Sequence, residues 1–563
     1  MAFIEDKDRF FSGKVNASTP KHLIGEGEVA RLLNARFIEG AITNAIGFEE
    51  LEITFPNNDY ISRGNVSYSD LLARGDFQLL APLSNVYGKF LIAIISGVIF
   101  QINLDNLEAV DITPIDSFLT EESITAYPLS FIDNDGDIYG VGGYLVIFNY
   151  PNRPIFVSQY GARISNAFKW EMPVARIGAT GGSRAFVISA NNILYASDPL
   201  GAASSSAPLT FQETLDPAGT YTGQIFTIGS SLDMAYITAV CRIPRLLGVS
   251  EDFLAQSLLF STKNKKYIVQ AGAPRTDWES IQFISYGGTS DGIAGPQACT
   301  NIGSSVLYIS HTGRIKNYAQ DQDRDSSLVE TYMDESLGQY LGEYESSFYF
   351  RPYYKTLNHS KGYIKYTRDR LYATVYPYLA PALSRYREKA QTYTHRALAV
   401  ASLDPATLIG PQASLTWECF LTWLNPVALA TLDNTLYVAS KNEYGKIQFF
   451  KESFTKIDEH KSTIFTRGYF AGIDGRGKTL SEVTLYFRVL YGSVKIRISY
   501  LVNNKWTVAG ECTTSNKLVR FTVKPKCKSD SWGVPLKIEI DHNGCKFELE
   551  SVRVEGDSSA KEK

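Results

Sequence analysis

One local design recurs seven times along the 563 residues and constrains the fold more than any other feature: a turn-prone Asn, Asp, Ser or Gly, then an apolar residue and an aromatic. The units are Ser96-Gly97 with Ile99-Phe100, Gly136 with Ile138-Tyr139, Asn191-Asn192 with Leu194-Tyr195, Asn264 with Tyr267, Ser304-Ser305 with Leu307-Tyr308, Asp369 with Leu371-Tyr372, and Asn434 with Leu436-Tyr437. Apolar runs such as Ala185-Phe186-Val187-Ile188 flank each turn, which is the pattern of a β-hairpin. Successive aromatics lie 39, 56, 72, 41, 64 and 65 residues apart. The shortest steps match a propeller blade of about 40–45 residues, and the longer ones require insertions. Radial stacking suits such units because a four-stranded blade buries its faces only against its neighbours. The expectation is an all-β chain with an irregular six- or seven-bladed β-propeller, insertions included; hairpins in stacked sandwiches are the alternative.

A second style begins near Lys461. Val483, Leu485, Phe487 and Val489, then Val494, Ile496 and Ile498, alternate with period two, and further strands around 519–523, 536–540 and 547–554 complete a C-terminal β-sandwich. The domains expected are an N-terminal arm and platform over 1–75, the propeller over 76–455 with a helical, charged insertion near 321–396, the sandwich over 461–555 and a disordered tail over 556–563. Within the insertion, helices are expected over Ser326–Leu341 and 380–390.

Composition supports strands and excludes some functions. Thirty-four Tyr and 31 Phe stand against 4 Met, with 43 Gly and 22 Pro, a mixture that favours strands and tight turns. A formal charge of −4 argues against a protein that coats nucleic acid with its whole surface. Acidic residues among the first eleven disfavour a signal peptide. The longest apolar run, Phe90–Phe100, falls far short of the roughly 20 residues of a membrane helix and reads as two strands around Ser96-Gly97, so no membrane span is expected. The 6 cysteines form no CxxC pair and read as free thiols, although the last three, Cys512, Cys527 and Cys545, would bridge if close in space.

Motifs with chemistry are few. Gly472 to Thr479 fits GxxxxGK[ST], but phosphate binding there needs a following helix, and Leu480 to Val489 reads as a strand. Two acidic runs look like calcium loops: Asp133–Asp137 lacks EF-hand spacing and sits where a hairpin turn is needed, and Asp321–Asp325 begins well but has Ser326 in place of the required glycine and Tyr332 in place of the terminal glutamate. No HExxH occurs, and the 6 histidines stand alone in sequence. No catalytic, cofactor or metal residues are therefore assigned, although carboxylates from distant blades can pair in propeller glycosidases.

Charge segregation is the remaining signal. Residues 321–345 hold eight acids and one base; Arg351 to Arg396 hold ten bases, two acids and nine interleaved tyrosines. The candidate interface of a ring of subunits is Asp321, Asp323, Asp325, Asp334 and Glu335 on one side and Arg385, Arg387 and Lys389 on the other. Contact of the basic stretch with nucleic-acid backbone, and intramolecular pairing of the two stretches, are the alternatives.

Three segments, in order, carry a resemblance. Asn34-Ala35-Arg36 through Gly40 to Gly47-Phe48 looks like an "N…G…xGF" segment, Arg184-Ala185-Phe186 through Leu194-Tyr195 to Ser197-Asp198-Pro199 like an "R-aromatic…LYYSDP" hairpin, and Gly292 to Pro296 leading to Leu307-Tyr308-Ile309-Ser310 like a "G…SP…lyfLSxxG" stretch. Together they resemble the tail hub and nozzle proteins of short-tailed bacteriophages, including the packaged-DNA stabilisation type. The resemblance implies a structural, non-enzymatic virion protein without cofactor, assembled in the host cytoplasm. It further implies a homo-hexameric ring contacting portal or adaptor and other tail proteins, with double-stranded DNA passing through without tight binding. A carbohydrate-binding or carbohydrate-cleaving propeller for receptor recognition is the second reading, and a nucleic-acid-binding module the third.

Overall fold

A computed structural model describes residues 2–558 apart from 17–22, 57–66, 115–129, 135–143, 190–192, 200–208, 216–225, 228–236, 243–256, 271–283, 286–291, 321–327, 333–361, 376–396, 404–414, 471–477, 530–532 and a few single residues and pairs. The described chain is almost entirely β, and most of its strands sort into four-stranded antiparallel units. Blade 1 comprises Phe77–Asn85, Gly88–Ile95, Val98–Asn103 and Ala109–Asp111; blade 2, Ser130–Asn134, Tyr144–Phe148, Ile155–Ser158 and Gly161–Ile164. Blade 3 comprises Ile177–Gly181, Arg184–Ile188, Ile193–Ala196 and Phe226–Thr227; blade 4, Ile237–Arg242, Ser257–Thr262, Lys266–Gln270 and Ile284–Ser285. Blade 5 comprises Cys299–Ile302, Ser305–Ile309, Ile315–Gln320 and Leu328–Tyr332; blade 6, Ile364–Thr367, Arg370–Val375, Ala397–Ser402 and Thr416–Leu421. Blade 7 takes Pro426–Leu432, Thr435–Lys441 and Ile447–Ile457 from late in the chain and Ile46–Leu51 from its beginning.

The first strand of each blade touches the first strand of the next, and that of blade 7 touches that of blade 1, so seven blades close a ring. The core lies in the gaps between blades, as radial stacking requires. Leu79, Ile92 and Ile94 of blade 1 meet Leu145, Ile147 and Ile155 of blade 2, and Phe186 and Ile188 of blade 3 meet Leu258 and Phe260 of blade 4. Each of the six turn–apolar–aromatic units that flank described strands belongs to a different blade. Three are two-residue turns with both residues left-handed: Ser96-Gly97 (φ 46° and 80°), Arg368-Asp369 (49° and 58°) and Asp433-Asn434 (48° and 56°). The spacing is irregular partly because the unit marks the second turn of blades 1, 3 and 4 but the first turn of blades 5, 6 and 7. The Gly136 unit lies outside the described residues, between the first two strands of blade 2.

The sandwich is larger than expected and is built from both ends of the chain. One sheet runs Ala35–Ile38, Ala41–Asn44, Phe547–Ser558, Lys478–Val489 and Leu518–Val523, with Ala2–Asp8 pairing along Phe547–Ser558. The other runs Val29–Leu33, Ser462–Tyr469, Val534–Asp541, Val494–Val502 and Lys505–Thr514. The propeller is thus an insertion between two halves of the sandwich. Val29–Leu33 also pairs parallel with Thr416–Leu421, through Leu33 and Phe420, so that blade 6 and half the sandwich form one nine-stranded sheet.

Several boundaries differ from those expected. The 1–75 segment is no separate platform: Ala2–Asp8, Val29–Leu33, Ala35–Ile38 and Ala41–Asn44 belong to the sandwich and Ile46–Leu51 to blade 7. Within the expected helix over Ser326–Leu341, Leu328–Tyr332 is the outer strand of blade 5, because Ile315–Gln320 offers it an open edge. Residues 364–375 of the expected insertion are blade strands, while 380–390 lies outside the described residues. Gly556 to Ser558, expected to be disordered, pair with both Ala2–Ile4 and Lys478–Leu480. The glycine-rich loop before Lys478 lies outside the described residues, and a strand follows it. Cys512 and Cys545 are free thiols. An unforeseen helix, Tyr68–Arg74, is capped by Ser67, whose hydroxyl accepts from the Asp70 amide.

Gly47 shows how closely the closing strand fits. A Cβ there would lie 1.9 Å from the Lys456 carbonyl oxygen, at the bulge where Ser453–Ile457 bends around it. Gly47→Ala is expected to destabilise the protein by about 1–3 kcal/mol or more. Gly445→Ala, with open space but φ +84°, should cost only about 1 kcal/mol. Urea unfolding midpoints compare the two; equal midpoints would remove the closing strand from its assigned importance.

Candidate functional site

All eight residues of the expected ring interface, Asp321, Asp323, Asp325, Asp334, Glu335, Arg385, Arg387 and Lys389, lie outside the described residues. The described part of the basic stretch is partly engaged within the molecule. Arg370 reaches Glu452 of blade 7 at 3.7 Å, and the guanidinium groups of Arg368 and Arg370 lie over the Phe454 ring. What the structure does assemble is a polar seam where blades 6 and 7 meet the sandwich.

Asn34 is its central residue. It is buried and left-handed (φ 52°), a conformation asparagine tolerates better than most residues. Its side-chain carbonyl accepts from the Thr422 amide at 2.8 Å, and its amide group donates to the Lys461 carbonyl at 3.1 Å. One side chain therefore ties the sandwich to both the blade 6–7 connection and the exit from the propeller. Nearby, Tyr372 of blade 6 donates its hydroxyl to Glu452, whose side chain is wholly buried and whose second oxygen has no hydrogen-bond partner. Arg36 and Glu418 complete the cluster. Burial lowers the Arg36 pKa, reinforced by the positive charge of Arg370, and burial raises that of the Glu418 carboxyl.

His542 forms the seam's second network. Ser462 donates its hydroxyl to the Asn34 carbonyl at 2.6 Å, so toward His542 Nε2, 3.2 Å away, it acts as acceptor. His542 Nδ1 then accepts from Asn44 Nδ2 at 3.0 Å, while the Asn44 side-chain oxygen accepts from the Phe547 amide. This pattern fixes a neutral imidazole protonated on Nε2, and burial lowers its pKa.

A cavity of about 620 Å³ opens beside the seam, lined by Phe48, Glu50, Trp423, Glu443, Asp458 and His460 among others. His460 stacks on the Trp423 indole with centroids 4.0 Å apart and planes 7° apart, and its Nδ1 lies 2.7 Å from Asp458 Oδ1. Phe48 and Phe450 meet the same indole edge-on. The indole's stacked face is thus covered by an imidazole rather than presented to a planar or sugar ligand. Asp458 Oδ2 and Trp423 Nε1 are buried without hydrogen-bond partners, leaving one acceptor and one donor at this wall. Among the described residues no group of three or more His, Cys, Asp or Glu is arranged to hold a metal ion, and no helix is long and apolar enough to cross a membrane.

Sequence reasoning did not single out Trp423, Glu452, Asp458 or His542. Only the Asp458-x-His460 spacing offered a local clue; the other partners come from elements far apart in the chain.

Two measurements probe the seam. Tyr372→Phe removes the hydroxyl donor to a buried carboxylate and is expected to cost about 1.5–3 kcal/mol in urea unfolding; an unchanged midpoint would count against the bond. His542 has a folded-state pKa below its unfolded value of about 6.5, so the unfolded chain takes up the proton first as pH falls. Its contribution is therefore present above about pH 6.5 and diminishes below it. His542→Gln should reduce the loss of stability between neutral and mildly acidic pH, and an identical pH profile would contradict the neutral assignment.

No sequence-family profile matches the chain, and no curated protein matches it. Among solved structures it is similar to BamB from Moraxella catarrhalis, with 10% identity over 68% of this chain and 95% of that one, at a TM-score of 0.30. It is also similar to PorZ of Porphyromonas gingivalis, with 11% identity over 73% and 44% at 0.32, and to BBS1N, with 10% identity over 49% and 74% at 0.27. Likenesses this distant carry no argument about function, and the blades are established by the chain's own strand pairing.

Proposed function

We propose that the chain is a structural protein of a short-tailed bacteriophage tail, a hub or nozzle subunit that forms a ring, retains packaged DNA and conducts it during ejection. The observation that carries this reading is where the residues of the resemblance fall in the fold: they are its joints. Asn34 and Gly47 couple the sandwich to the propeller and close the ring of blades. Arg184 donates to the Ser197 carbonyl at 2.7 Å and pairs with Glu213 at 3.0 Å, while Asp198 accepts from the Glu213 amide and Thr210, so the hairpin of blade 3 is tied to the chain that follows. Gly292 leaves no room for a side chain, since a Cβ would lie 1.8 Å from the Thr262 carbonyl oxygen. Around it, the Ile293 carbonyl accepts from Thr238 of blade 4, and the Ala294 amide donates to Ile309 of blade 5.

Such joints make a stiff body, and stiffness is what a conduit wall needs. The nine-stranded sheet carries this continuity from the inner strand of blade 6 to the edge of the sandwich. In this reading the protein performs no catalysis, closes a six-fold ring through heterologous contacts and meets portal, adaptor and other tail proteins at its two faces. Its mild negative charge, −4, suits a lumen that passes DNA without holding it.

Mass photometry of the purified chain should give a species six times the chain mass, and mass spectrometry of purified particles should contain the chain. A strictly monomeric protein absent from particles would overturn the proposal. Reversing the charges of Arg385, Arg387 and Lys389 to Glu should shift the ring species to monomer; an unchanged mass distribution would move the interface elsewhere.

A further inference from the structure

The cavity beside the seam is built around a carboxylate that its neighbours leave half satisfied. Asp458 opens the short connection 458–461 between blade 7 and the sandwich, and its side chain is 2% exposed. Its Oδ1 accepts twice from His460, from Nδ1 at 2.7 Å and from the backbone amide at 3.3 Å. Its Oδ2 is buried and accepts from nothing. A carboxylate takes donors on both oxygens, and a buried oxygen without one carries a desolvation cost. The imidazole cannot remove that cost, because it turns a single N–H toward the pair.

The position of His460 shows what would. Its ring lies flat on the Trp423 indole, with centroids 4.0 Å apart and planes 7° apart, while its in-plane nitrogen meets the carboxylate. A guanidinium adopts this same arrangement, stacked on an aromatic face and hydrogen-bonded in its own plane to a carboxylate, but with two parallel N–H bonds instead of one. Phe48 and Phe450 hold the indole edge-on, so the stacking face is already set. The His460 side chain is 45% exposed, and turning it into water uncovers both the indole face and Asp458. The remaining walls suit a cation. Glu50, Glu443 and Glu459 join Asp458 against Lys456 and His460, and about 620 Å³ accommodates an arginine side chain with its aliphatic stem.

We propose that this cavity binds the guanidinium group of an arginine, which displaces the His460 imidazole from Trp423 and pairs with both oxygens of Asp458. In the free chain His460 stands in for the ligand, covering the indole and holding one carboxylate oxygen. The same cation comes either from an arginine within a polypeptide or from the free amino acid.

The test titrates the full chain with N-acetyl-arginine-N-methylamide by isothermal calorimetry, beside the citrulline compound of the same shape without charge and the lysine compound with a point charge. Saturable binding of the arginine compound at millimolar concentration is expected, with the other two at least about tenfold weaker. His460→Ala should tighten binding, since nothing has to be displaced, Asp458→Asn should abolish it, and Glu443→Gln, at an exposed position, should weaken it. Tighter binding of the blocked compound than of free arginine makes a polypeptide the source; the reverse makes it the amino acid. The proposal is overturned if the citrulline compound binds as well as the arginine compound, if neither saturates, or if folded His460→Ala binds no more tightly than the wild type. The three compounds on the wild-type chain decide the matter even if a variant does not fold.

Discussion

Closure of the propeller depends on one antiparallel pairing, Ile46–Leu51 against Ile447–Ile457, between segments that contact across 398 residues of chain at Gln448 and Glu50. Without the early strand, the last blade would have three strands and an open edge; with it, the ring is fastened by backbone hydrogen bonds. Contacts of such sequence separation carry a large closure entropy, which favourable packing must offset. Phe48 supplies part of that packing by standing against Trp423, while Gly47 lets the Lys456 carbonyl approach where any side chain would block it.

The sandwich reinforces the same closure from outside. Its strands come from before and after the propeller, so folding the sandwich brings together the two chain segments that must pair in blade 7. The buried polar groups at the seam fit a specifying role better than a purely stabilising one. Glu452, Arg370 and Tyr372 form a desolvated cluster that apolar residues of equal volume would replace at little cost, but whose directional bonds fix how blades 6 and 7 meet. A second buried cluster secures the first strand. Asp8 accepts from Arg467 Nε at 2.9 Å, the Tyr469 hydroxyl at 2.6 Å and the Gly27 amide at 2.9 Å.

What was legible in the sequence was local. Ser96-Gly97, Asp369 and Asn434 could be read as turns because left-handed backbone admits few residue types, and the period-two strands from Val483 onward stated their own buried face. What could not be read depended on partners remote in sequence. Val29–Leu33 is apolar at most positions and gives no sign that it bridges blade 6 and the sandwich, since only tertiary context supplies a strand on either side. Leu328–Tyr332 lies in a window with helical periodicity and becomes a strand because blade 5 needs an outer edge. The seam was invisible for the same reason: Asn34, Glu452 and His542 acquire their roles only when three distant segments meet.

Propeller and sandwich form one mechanical unit fastened by the early strands. Hydrogen–deuterium exchange of the native chain, followed by peptide mass spectrometry, tests it most directly. If the account is right, the amides of Ile46–Leu51 and Val29–Leu33 exchange in the same slow class as those of Ile447–Ile457 and Ser462–Tyr469, through one shared opening. Rapid exchange of the early strands while the blades and the late sandwich strands stay protected would contradict it.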